Sequence, residues 1–143
     1  MPSSEQPEIK VFQSSVSRIW NGEDGIGRAV FFDYCEITLE DAKQHLAACS
    51  KAGQDVGKTK MPVVADISGV RRASVAARRY LAGDEAAAIT EVLGLYGLAP
   101  FARILATFFL GMSRPPFPTK VFDNEEQALD WVQGVLGESD RDC

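Results

Sequence analysis

The chain has 143 residues, 45% of them hydrophobic and 24% charged, a composition that fits one folded domain and excludes a disordered chain. Its formal charge is −5 and its pI is near 4.9, so its long-range field repels nucleic acid. Three cysteines, Cys35, Cys49 and Cys143, lack metal-ligand spacing and point to reduced thiols in a cytoplasm.

In chain order, "MPSSEQPE" lacks the basic start and apolar run of a secretory signal, so residues 1–8 are expected to be a flexible tail of a cytoplasmic protein. "IKVFQSSVSRIW" and "GIGRAVFF" are rich in β-branched and aromatic residues. The "NGEDG" between them holds Asn-Gly and Asp-Gly pairs, which predicts a β-hairpin. Gly22, Gly25 and Gly27 have the wrong spacing for a phosphate loop, and no helical pattern follows them.

"TLEDAKQHLAACSKAG" predicts a helix capped by Thr38 and ended by Gly53, with Leu39, Ala42, Leu46 and Cys49 on its apolar face. "MPVVADI" is a continuous apolar strand of the kind buried on both faces. "SVAARRYLAG" is a short helix, and a strand is expected somewhere in 87–96. "APFARILATFFLGM" predicts a helix over 100–112 that is apolar on most sides, but too short to span a membrane. "TKVF" is a last strand. "DNEEQALDWVQGVLG" is a last helix, capped by Asp123 or Asn124, with Ala128, Leu129, Val132, Val135 and Leu136 as its buried stripe. The order β-β-α-β-α-β-α-β-α implies a single α/β domain over 9–137 with right-handed crossovers, followed by a flexible 138–143.

"VVADISGV" followed by a helix resembles the "DLSGV" segment of STAS domains. The likeness is to the SpoIIAA-like (STAS/SEC14-like) branch of small bacterial proteins, and it extends through "EDGIGRAVF", "TLEDAK", "RRYLAG", "ILATFFLG" and "PTKVFDNEEQALDWV". It covers residues 14–136 and implies a SpoIIAA-like mixed β-sheet with helices packed mainly on one face. In the anti-sigma-factor antagonists of this family, a phosphorylatable serine opens the next helix. In register that position is Val75, and the position that usually carries aspartate is Ser74. Ser74, one residue early, is left as the candidate acceptor.

A phosphate on Ser74 would add roughly −1.5 to −2 charges beside Arg71 and Arg72. The simpler expectation is a helix cap contributing about 1 kcal/mol. Arg71, Arg72, Arg78 and Arg79 form a basic cluster, readable as an anion or partner patch or as a solvated face pairing with local acids. The second reading is the expected one.

No nucleophile elbow, P-loop or zinc spacing occurs, so no catalytic residue, metal or cofactor is expected. His45, mid-helix, is expected at the surface or its boundary. Asp66, at a strand end, is expected to accept N–H bonds from the Ser68–Gly69 turn. Cys35 and Cys49 read as ordinary thiols.

The resulting expectation is a non-enzymatic, regulatory interaction module. It would recognise a protein partner through the junction 66–79, with Ser68, Arg71, Arg72, Ser74 and Arg78 as contacts. The alternative is an apolar, lipid-like ligand in a pocket beside helix 100–112, lined by Phe101, Leu105, Phe108 and Phe109. Those same residues are equally open to cover by neighbouring helices or the "SRPPFP" loop, or would serve a homodimer interface if a second copy covers them.

Overall fold

The computed structural model describes residues 9–97 and 115–141. The helix expected over 100–112, with Phe101, Leu105, Phe108 and Phe109, lies outside the described residues, as do Cys143 and the first eight positions.

The N-terminal run is two strands where the sequence pattern shows one. β1 (Val11–Gln13) folds back on β2 (Ser17–Asn21) with Gln13 opposite Arg18. The turn is chemical: Ser14 Oγ accepts the Val16 N–H at 3.2 Å, and Ser14 N–H reaches the Ser17 carbonyl at 2.9 Å. The expected hairpin then joins β2 to β3 (Gly27–Phe31), with Asn21 opposite Gly27 and Asp24 Oδ1 accepting the Ile26 N–H.

β4 (Cys35–Ile37) leads into α1 (Leu39–Asp55), where Thr38 and Asp41 form a reciprocal capping box. Two expectations for α1 are corrected. Gly53 does not end the helix, which runs to Asp55. Leu39 is 37% exposed, and the buried face of the helix begins only at Ala42 and continues through Leu46 and Ala52.

β5 (Met61–Asp66) is the central strand expected from "MPVVADI". Pro62 cannot donate to a ladder, and the pairing register to the next strand shifts at Met61/Pro62. After β5 come β6 (Val70–Ala73), α2 (Val75–Leu81), α3 (Asp84–Ala87), β7 (Thr90–Tyr96), β8 (Thr119–Phe122) and α4 (Glu125–Arg141). Asn124 rather than Asp123 caps α4, its Oδ1 accepting the Gln127 N–H at 3.0 Å.

The main sheet has the order β1-β2-β3-β5-β7-β8, antiparallel through its first three strands and parallel from β3 onward. Alternation along the strands sorts the core by face. Ala29, Phe31, Ala65, Val63 and Leu93 turn toward α1 and α2. Val64 and Val92 turn to the opposite face, against Ala128 and Val132 of α4. Gly94 lets α4 approach closely, because a Cβ there would lie 3.3 Å from Ala128 Cβ. β4 and β6 pair in parallel as a separate two-stranded ribbon that the sequence pattern did not reveal.

Candidate functional site

The junction after β5 is a sequence of tight local bonds. Asp66 Oδ1 accepts the Ser68 N–H at 2.9 Å and the Ser68 hydroxyl at 2.7 Å, so this carboxylate holds the turn as its sequence context implies. Ile67 N–H donates to the Tyr96 carbonyl, which ties the turn to β7. Gly69 is required sterically, since a Cβ there would sit 2.5 Å from the Phe32 carbonyl oxygen. The chain then enters β6 instead of passing straight into a helix. Ser74 N–H donates to the Ile37 carbonyl at 3.0 Å, and Ser74 Oγ accepts the Ala77 N–H at 3.0 Å.

Through that bond the β4–β6 ribbon sets the starts of α1 and α2 beside each other. Leu39 and Val75, the first residues of the two helices, are 37% and 53% exposed, and Tyr34 ahead of β4 is 84% exposed. The four arginines do not form one patch. Arg71 and Arg72 are exposed, and as neighbours on a strand they point to opposite sides. Arg72 pairs with Glu36 at 3.0 Å across the ribbon. Arg79 is exposed, whereas Arg78 is half-buried and turns inward.

Arg78 belongs to a second feature, a cavity of about 350 Å³ between α1–α3 and one face of the sheet. Its described wall includes Phe31, Leu46, Val63, Leu93 and Phe117, together with His45 and Cys49 of α1. The expected surface position of His45 is corrected here: it is only 8% exposed. The cause is its place three residues after Ala42 on the buried face of α1, against the Phe31 ring at 4.7 Å.

Buried Ser17 meets His45 Nδ1 at 2.7 Å, Ser14 Oγ meets Ser17 Oγ at 2.6 Å, and Cys49 Sγ lies 3.5 Å from His45 Nε2. The spacing of His45 and Cys49, four apart on one helix, was a readable sign that the two meet. Nothing local to either residue signals Ser17, which is brought from β2 by tertiary packing.

Burial lowers the His45 pKa to about 4 and pushes the Cys49 thiol up to about 12, so at neutral pH both are uncharged. Ser17 and His45 are within nucleophile–base reach, but Ser17 is 0% exposed and no substrate carbonyl can approach its oxygen. The cluster satisfies buried polar atoms. Among the described residues, no group of three His, Cys, Asp or Glu side chains is placed to hold a metal ion, and no helix is long and apolar enough to cross a membrane.

A hairpin feeding a parallel sheet, with α1–α3 on one face and the central strand closing in an aspartate-held turn, defines a single-domain SpoIIAA-like (STAS) fold. An uncharacterized protein of the DUF3478 family from Shewanella loihica PV-4 shares this fold. It is 16% identical, with a TM-score of 0.54 over 87% of this chain and 92% of that one. The anti-sigma factor antagonist SpoIIAA, in its unphosphorylated form, is 17% identical, with a TM-score of 0.52 over 82% of this chain and 98% of its own. Residues 19–136 match the model of the domain of unknown function DUF7793, and the chain belongs to that family. No curated protein matches it at a significant level.

Proposed function

We propose that this chain is a non-catalytic recognition module of bacterial regulation, which contacts a protein partner through the edge made by the β4–β6 ribbon and the starts of α1 and α2. The observation that carries this reading is the placing of Leu39 and Val75 at adjacent helix starts, both exposed and both apolar, next to a ribbon that carries exposed Arg71 and Arg72 on its two sides. Apolar anchors bordered by arginine suit a protein interface. The fold shared with an anti-sigma factor antagonist supports an interaction role. The uncharged state of buried His45 and partly buried Cys49 argues against nucleophilic catalysis.

Affinity capture from the native cell tests the reading. A specific partner held by the wild-type chain should be lost from folded Val75→Glu and from the Arg71→Ala/Arg72→Ala pair. Undiminished capture by both variants would move the interface elsewhere.

A second reading rests on the cavity. Its volume of about 350 Å³ lies within the range of about 300–1,000 Å³ usual for small-molecule sites, and its wall is mostly apolar. These features support an apolar-ligand role for the same domain. Native mass spectrometry of freshly isolated protein should then find a co-purified small molecule, and a ligand-free spectrum would count against this role.

A further inference from the structure

The cavity is chemically lopsided. Val63, Leu93 and Leu95 make an apolar floor of strand side chains, and among the described residues the wall carries a single formally charged group, Arg78 of α2. No described lining residue is acidic. His45 and Cys49 also face this space, but burial keeps the imidazole and the thiol neutral, so neither competes with an anion nor adds a second cation. A guanidinium stays charged throughout the physiological range and offers five N–H donors in a planar fork, more than one partner exhausts. That fork matches the two oxygens of a carboxylate, and such a pair strengthens where water is excluded.

We propose that the cavity takes a single-chain amphiphile with a carboxylate head, the head on Arg78 and the aliphatic chain against Leu46, Val63, Leu93 and Leu95. This rests on the second reading above, that the cavity is a ligand site. Its modest volume favours one chain over two.

Calorimetric titration of the full chain with dodecanoate and dodecyltrimethylammonium below their micellar concentrations, and with dodecanol below its solubility limit, tests the assignment. Dodecanoate is expected to bind at least about 10-fold more tightly than dodecanol, the yield of one charge-assisted pair, and the cation most weakly. Arg78→Met should erase the preference for dodecanoate while leaving dodecanol binding in place. Ala82→Phe, which narrows the cavity from the end of α2, should weaken both, with folding checked by circular dichroism. Equal binding of dodecanoate and dodecanol by the wild-type chain would overturn the head-group assignment and leave the ligand site standing. Binding of neither would overturn both. Tighter binding of the cation would overturn the role of Arg78, and these wild-type comparisons hold even if a variant fails to fold.

Discussion

Ser17 Oγ and His45 Nδ1 stand 2.7 Å apart, the first from a hairpin strand and the second from α1, both closed off from solvent. The pair fixes the helix to the hairpin through one buried hydrogen bond.

The first prediction concerns pH. His45 falls from an ordinary pKa of 6.5 to about 4 in the folded chain because burial disfavours its charged form. Between those values the unfolded chain binds a proton that the folded chain refuses. Stability is therefore fully present above pH 6.5 and declines as pH falls toward 4, by on the order of 3 kcal/mol. Asp24 and Asp41, whose pKa values are lowered from 3.8 by hydrogen bonds, act below that window. Urea denaturation from pH 4 to 7 should show the slope, and His45→Gln should flatten it. A level profile in the wild-type chain would contradict the burial of the imidazole.

Ser17→Ala leaves His45 Nδ1 without its partner and Ser14 Oγ without one of its contacts. The expected loss is about 1–3 kcal/mol, measured as a lowered urea midpoint with an unchanged slope. A loss within error would mean that the bond contributes nothing net.

At the junction, Ser74→Ala removes the acceptor of the Ala77 N–H and should cost about 1 kcal/mol, while Ser74→Asp should restore most of it. Intact-mass analysis of protein from its native cell is expected to find Ser74 unmodified. A stoichiometric phosphate there would make the cap a switch.

Gly69→Ala places a methyl group 2.5 Å from the Phe32 carbonyl and 2.8 Å from that of Phe31, both backbone atoms. Neither can retreat like a side-chain end, so thermal unfolding should drop by the equivalent of about 1–3 kcal/mol. Arg72→Ala is the contrasting case. Its pair with Glu36 is exposed on both sides, and its loss should change stability by less than about 1 kcal/mol. Reduced partner capture by the arginine variants would then report on binding.

Cys49, with its thiol raised to about 12, should resist alkylation at pH 8 until the chain is unfolded. Rapid labelling of Cys49 in the native chain, located by peptide mapping, would contradict the raised thiol.

Much of the architecture was legible because it depends on near neighbours. Thr38 with Asp41, Ser74 with Ala77 and Asp66 with Ser68 are bonds between residues two or three apart, and residue type with spacing announces them. "PVVAD" reads as a two-sided strand because each of its faces meets a different helix layer. The β4–β6 ribbon was invisible, since "CEI" and "VRRA" are too short to carry a period and are held together by mutual pairing. The break between β1 and β2 was hidden in a pair of serines whose turn depends on a side-chain bond.

The residues alone determined most of the alternation of strands and helices, the caps and the aspartate-held turn at Asp66, all through local periodicity and short-range hydrogen bonding. Only the tertiary structure decided that His45 is buried and neutral, that Arg78 turns inward while Arg71 and Arg72 stay outside, and that Leu39 and Val75 lie at adjacent helix starts. The physical reason is distance along the chain. Burial, charge state and the composition of a cavity wall depend on which remote segments pack against a residue, and short-range sequence pattern carries little of that information.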